Sequence, residues 1–393
     1  MNSSFYIHWP FCEKKCPYCD FNSHERDNIN YQDWENAYLK EIDYYANILN
    51  PQLKITTIFF GGGTPSLMKP KTIEKIIDRI SQKFNLEKNA EITLEANPSS
   101  SEAEKFKNFK LAGVNRISIG VQSFNEENLK FLGRKHNSSQ AINAIKMAGK
   151  IFDNFSFDLI YALPNQNINN WRQELDFAFE FGSPHLSLYQ LTIEKGTDFY
   201  GRYKRKEFAL PNTDIQNDLY NLTIEKAKKN GLLQYEISNF SRKGFESKHN
   251  MNYWQYGDYI GIGAGAHGRL LNGNWKLETG NSASNLKTQT LNIHSPEKWL
   301  ESIKKNNHGL QSKTKLTFEQ QVEEFVYMGL RVKKGFSFKK FNHFAGKNFE
   351  DYFDKKIIEN LIEAKYLKIS NDRVKPTNAG LLLHRGIIHK LFL

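Results

Sequence analysis

The sequence predicts an α/β protein: an open, partial (βα)6 barrel or a doubly wound parallel sheet, followed by a smaller, mainly helical unit. Three observations carry this. Short β-rich runs recur through the first half, a segment of helical periodicity follows each of them, and beyond about residue 290 the alternation gives way to helical patterns. Strands alternating with helices at this interval build βαβ units and a parallel sheet. Six such units fall short of the eight of a closed barrel.

The runs are SFYIHW from residue 3, TTIFF at 56–60, EITLE at 91–95, RISIG at 116–120, FSFDLI at 155–160 and HLSLYQL at 185–191. The first helical segment, 31–49, places Trp34, Tyr38, Ile42 and Tyr45 on one face; the others are expected at 70–84, 101–112, 138–152 and 169–182. In either architecture, chemistry gathers at the C-terminal ends of the strands. The polar stretch 272–290 reads as loop and hairpin, with helices after it at roughly 296–306, 317–333 and 350–365. Residues 366–377, YLKISNDRVKPT, read as a two-stranded hairpin around Asn371 and Asp372 ahead of a last helix, a winged-helix-like arrangement. The expected division is a barrel at 1–215, an extension at 216–290 and a C-terminal unit at 291–393.

Hydrophobic residues at 39% and aromatics at 13% suffice for a core, and no run reaches the roughly 18 apolar residues of a membrane span. The start, MNSSFYIHWPFC, lacks the pattern of a secretory signal, so a cytoplasmic location is expected. The net charge is +11, and residues 301–393 hold 18 Lys and Arg against 10 Asp and Glu. Such a basic end suits an anionic membrane surface, an acidic protein or nucleic acid. A Lys- and Asn-rich composition without binding meaning is the alternative.

The 3 cysteines of the chain, Cys12, Cys16 and Cys19, form a C-x3-C-x2-C array. Three thiols cannot pair off, and in a reducing compartment such clusters bind metal or do redox chemistry. An iron–sulfur cubane normally takes four thiolates, so three would leave one iron open. A structural zinc site is closed by four ligands. His8 or His24 could complete one, and zinc stays open on spacing alone.

With Tyr18 ahead of the last cysteine, the array resembles the signature of the radical S-adenosylmethionine (SAM) superfamily. That resemblance implies a [4Fe-4S] cluster on Cys12, Cys16 and Cys19, with SAM chelating the fourth iron and cleaved to a 5′-deoxyadenosyl radical. FFGGGTPS at 59–66 offers glycines that let backbone approach a ligand, or simply a tight turn. The order of further stretches resembles the oxygen-independent coproporphyrinogen III oxidase branch over essentially the whole chain. By that resemblance Tyr6, Gly62, Gly63, Thr64, Glu95, Gln122, Arg134 and Asp158 bind SAM, and the C-terminal module covers the barrel mouth.

Within this branch the resemblance leaves two functions, oxidative decarboxylation of coproporphyrinogen III to protoporphyrinogen IX and heme chaperoning. The oxidases carry a further cysteine two residues past the triad and an N-terminal extension; here Phe21 stands at that position and eleven residues precede Cys12. HLSLYQLTIEKGT at 185–197 and KHNMNYW at 248–254 match the chaperones instead. This implies heme binding at His249, Tyr253 and Trp254, a histidine for axial ligation and aromatics for the macrocycle face, and transfer to acceptor proteins, respiratory ones among them. An exposed cluster would suit a homodimer contact. GIGAGAHGR at 261–269 loosely fits a dinucleotide fingerprint but reads better as a glycine-rich turn, and DNA binding by the basic module has weak grounds.

Overall fold

The computed structural model describes residues 2–99, 104–276 and 286–392. All six expected runs are strands: β1 (Asn2–Trp9), β2 (Lys54–Gly62), β3 (Asn85–Ala96), β4 (Arg116–Gln122), β5 (Asn154–Tyr161) and β6 (His185–Gln190). Each pairs in parallel with the next in chain order. A seventh parallel strand, β7 (Asp258–Ile262), lies on the free edge of β1. It occupies the first part of the glycine-rich stretch: a Cβ at Gly261 would stand 1.9 Å from the His267 carbonyl oxygen, and Gly263 takes φ +98° in the turn that follows. β8 (His267–Leu271), β9 (Lys287–Asn292) and β10 (Leu310–Lys315) extend this edge antiparallel. The sheet is an open series from β10 to the short strand Leu233–Gln234, so the barrel is partial.

Side chains alternate along each strand and separate two environments. Phe5, Ile7, Ile58, Phe60, Leu94, Ile117, Ile119, Phe157 and Leu188 are buried in the main apolar core, beneath helices α1 (Tyr31–Ile48), α2 (Pro70–Lys83), α3 (Phe106–Leu111), α4 (Ser138–Ile151) and α5 (Ile168–Glu180). The alternate positions carry Ser4, Thr57, Glu91, Thr93, Arg116, Ser156 and His185, polar and buried. Asn30, Asn137 and Asn167 accept backbone N–H groups at the N-termini of α1, α4 and α5. The helix expected at 101–112 forms only from Phe106, with 101–103 outside the described residues; so are residues 277–285 of the stretch expected as loop and hairpin.

α6 (Thr213–Lys229) lies against α5, where the Trp171 indole N–H donates to Thr223 Oγ1 at 2.8 Å. The next helix, α7 (Lys248–Trp254), carries the HNxxYW stretch and packs where the parallel strands begin: Glu91 accepts the backbone N–H groups of Lys248 and His249 at 3.2 and 3.1 Å. It forms the floor of the barrel.

Past residue 290 the chain still contributes to the main core. α8 (Pro296–Asn306) lies on α1, where the fully buried Trp299 stacks on Trp34 with ring centroids 5.0 Å apart. Trp299 and Ile303 of α8 join the main apolar core, and β10 pairs with β9 at the edge of the sheet. A second apolar core gathers Val322, Phe325, Phe336, Phe341, Phe349 and Ile388. It is built from α9 (Phe318–Gly329), α10 (Phe338–Ala345), further short helices, and the expected hairpin, Leu367–Ile369 with Arg373–Pro376. Asn371 and Asp372 turn that hairpin at φ +53° and +56°, which Asn and Asp tolerate best after glycine. The helix expected over 350–365 breaks at Asp354, which caps its second part.

This unit packs against both free edges of the sheet. Arg331 pairs with the fully buried Glu236 at 3.0 Å and the Lys333 N–H donates to the Tyr235 carbonyl, both just past the short strand Leu233–Gln234. On the other edge Glu324 pairs with Arg269 of β8 at 2.9 Å, and Tyr256, just past α7, joins the second core. Arg385 lies 3.8 Å from Glu194, just beyond the end of β6. Among the described residues no helix is long and apolar enough to cross a membrane.

Candidate functional site

The cysteine loop leaves β1 at the C-terminal end of the sheet and is stitched to β2 and β7. Trp9 and Phe11 carbonyls accept the N–H groups of Gly63 (2.7 Å) and Thr64 (2.8 Å), and Asn22 donates to the carbonyls of Ala264 and His294 at 3.0 and 2.9 Å. The glycines of β2 serve this packing. A Cβ at Gly63 would stand 2.5 Å from the Phe11 carbonyl oxygen, and one at Gly62, φ +113°, would stand 2.6 Å from the His8 ring. The protein's own chain, before any ligand, already excludes a side chain at these two positions.

The histidines weighed as further metal ligands are taken. His8 contacts Tyr6 OH through Nδ1 and the Asn22 carbonyl through Nε2, both at 2.9 Å, and His24 Nε2 lies 3.0 Å from Asn22 Oδ1. Among the described residues no group of three His, Cys, Asp or Glu side chains is arranged to hold a single metal ion.

The three cysteines instead line one cavity of about 150 Å³, together with Gly62, Gly63, Thr64, Glu95, Gln122, Arg134 and Asp158. The structure thus brings together every residue expected at the SAM site except Tyr6, which lies deeper, its ring stacked on Phe59 with centroids 6.3 Å apart. Arg134 organises the rim: it donates to Cys16 Sγ at 3.3 Å, to Asn97 Oδ1 at 2.7 Å and to the Gly120 carbonyl at 2.8 Å. Asn97 donates onward to Thr64 Oγ1 at 3.1 Å. Sequence reasoning passed over Asn97, although Pro98 behind it holds the chain extended at a strand end and was the signal available. Gln122 ends β4 at φ +71°, a left-handed conformation rare for its type and frequent where strands end at functional sites.

Burial sets the electrostatics. It pushes the Cys12 thiol up to about 11 and raises Cys19. Burial, and then the charge of Asp158, raises Glu95 to about 8. Asp158 rises to about 6, burial outweighing its hydrogen bond to Ser187 and the charges of Arg116 and Arg134. The donor set suits an iron–sulfur cluster: the three thiols are free and share one chamber, and the raised Cys12 and Cys19 would be ionised by a cationic centre. The Arg134 guanidinium, its Nε buried without a partner, adds positive charge beside Cys16. Two buried carboxylates on the inner wall favour a cationic ligand.

The HNxxYW helix looks elsewhere. His249 is 1% exposed, its Nδ1 2.7 Å from Thr57 Oγ1 and its Nε2 2.8 Å from Tyr253 OH, while its ring stacks on Phe59. Burial lowers it to about 3, leaving it neutral. Neither nitrogen is free for an axial bond, so this arrangement disfavours His249 as a heme ligand. Arg331 lies over the Trp254 ring, 4.6 Å from its centroid, joining the floor to the C-terminal unit.

Comparison with known proteins gives consistent results. The radical SAM superfamily description matches residues 6–178, and that of the HemN C-terminal domain matches 316–383. The chain is 34% identical to radical S-adenosyl methionine domain-containing protein 1, mitochondrial, of Danio rerio, over 100% of this chain and 87% of that one. It is 35% identical to heme chaperone HemW of Buchnera aphidicola, over 99% and 98%. Among solved structures, the radical SAM enzyme coproporphyrinogen III oxidase (HemN) of Escherichia coli superposes with a TM-score of 0.80 at 21% identity, covering 100% of this chain and 90% of that one, a likeness of fold.

Proposed function

Because the chain belongs to the radical SAM superfamily, in the branch that carries a HemN C-terminal domain, we propose that it is a heme chaperone that binds a [4Fe-4S] cluster, SAM and heme and passes heme to acceptor proteins. The observation that carries the cofactor part is the single chamber holding all three thiols and the strand-end polar residues. Cys12, Cys16 and Cys19 would hold the cluster. Thr64, Glu95, Gln122, Arg134 and Asp158 would orient SAM, with Gly62 and Gly63 shaping the wall and Tyr6 supporting it from below through His8. When bound, the cluster supplies an electron and an open iron position. The protein's residues exclude water, fix Cys16 through Arg134, and present carboxylates to the ligand's positive charge.

The heme part is supported by relatives that bear the heme chaperone name along nearly their full length and by Phe21. This ring lines the chamber and is 58% exposed where the oxidases' additional cysteine is expected. The oxidase reading retains the fold likeness. Anaerobic reconstitution followed by coproporphyrinogen III, SAM and reductant, with a parallel heme titration and transfer to an apo-cytochrome, separates the two. Heme uptake and transfer without protoporphyrinogen formation is expected; turnover to protoporphyrinogen refutes the chaperone reading. We assign the basic C-terminal unit to contact with an acidic acceptor or an anionic membrane face, with the protein cytoplasmic and the exposed rim of the chamber available for a homodimer.

A further inference from the structure

Resting on the heme-chaperone reading, we infer that heme binds beneath the barrel, in the cleft between the floor helix α7 and helix α10, with His343 as an axial ligand. The cleft has a volume of about 810 Å³, toward the upper end of the roughly 300–1,000 Å³ of small-molecule sites. Its lining combines two chemistries. Met251 offers apolar surface, backed by the edges of the buried Tyr256 and Phe344, while Lys248 and Lys339 are exposed cations that form no ion pair among the described residues; Glu87 and Asp258 also line the cleft. A flat apolar macrocycle with two carboxylates requires both.

His343 is exposed at the C-terminal end of α10, and neither of its ring nitrogens makes a hydrogen bond among the described residues. It differs in this from His249, whose ring nitrogens are both engaged. Met251, on the floor helix, adds a thioether to the same cleft; imidazole with thioether is an established axial pair for heme iron. The HNxxYW stretch then contributes to heme binding through its helix, by placing Lys248 and Met251, while His249 anchors that helix from inside.

The test is a heme titration of the full chain with its cluster reconstituted, followed by Soret difference spectra and by electron paramagnetic resonance of the ferric complex. His343→Ala is expected to abolish the imidazole-ligated signature. Lys248→Glu with Lys339→Glu is expected to weaken heme by about tenfold or more, as loss of charge-assisted contacts does, and to bring it level with heme dimethyl ester, which lacks the carboxylates. All three residues are exposed, so the variants should keep the unmodified circular dichroism. Unchanged spectra and affinity in both variants, while the unmodified chain binds heme, overturn this site and leave the proposed function standing. No Soret response from the unmodified chain overturns both.

Discussion

Glu95 provides a direct measurement of whether a cation enters the chamber. With its carboxyl raised to about 8 and that of Asp158 to about 6, Glu95 is the one of the two that holds a proton at pH 7. A positive ligand beside these groups favours the charged form and lowers both values. SAM binding at pH 7 should therefore release up to about one proton from this pair, nearly all of it from Glu95. Isothermal titration of the reconstituted protein in phosphate and in Tris reads this number from the dependence of the observed heat on buffer ionisation. Glu95→Gln should remove most of that release, leaving any contribution from the ligand's own amine, and should flatten the rise in SAM affinity between about pH 6 and 8. Equal release by the two proteins would refute the placement of the ligand's charge next to Glu95. The sign for stability is the opposite. A carboxyl raised in the folded state contributes most below its unfolded value near 4.3, so the cofactor-free protein should lose that contribution as pH rises through about 8, and Glu95→Gln should not.

Serine at Cys12, Cys16 or Cys19 should abolish the oxygen-sensitive brown chromophore after anaerobic reconstitution; stoichiometric zinc in the unmodified protein would contradict this. Gly63→Ala should disorder the cysteine loop through its clash with the Phe11 carbonyl, lowering the melting temperature even without cofactors, whereas a pure ligand-clearance role would leave that temperature unchanged. His249→Ala should cost about 2–4 kcal/mol in denaturant unfolding, by leaving buried Thr57 and Tyr253 hydroxyls unpaired and opening a cavity, while the heme spectrum is unchanged. Since His249 is depressed to about 3, its contribution should be fully present above about pH 6.5 and lost progressively as pH falls from there to about 3. Flotation with anionic vesicles, or capture of an acidic acceptor, should weaken between 0.01 and about 1 M salt as the Debye length contracts; salt-independent capture would remove the electrostatic argument.

The barrel was legible because its six central strands are dense in β-branched and aromatic residues and are separated by helical patterns with clear ends. The seventh was not, because Gly261 and Gly263 remove the apolar signal where the backbone must approach His267 and His8. The site was legible in proportion to a simple rule, that polar residues ending successive parallel strands share one mouth. Glu95, Gln122 and Asp158 obey it. Tyr6 and His249 escape it because their place depends on which strand face turns inward and what lies beneath. The packing of α8 on α1 was not legible, because it rests on one stacking contact, Trp34 on Trp299, between residues far apart in the chain.

The floor helix gives the partial barrel two sides. The thiols and Arg134 line a chamber at one end of the strands, the cleft lined by Lys248 and Met251 lies at the other, and α7 is the wall between them. The two compartments share that wall. Glu91, Thr57 and Phe59 grip α7 from the barrel side, and Lys248 and Met251 face the cleft from the same helix. News of an occupant can cross only as a displacement of this partition, in the manner of a diaphragm between two rooms.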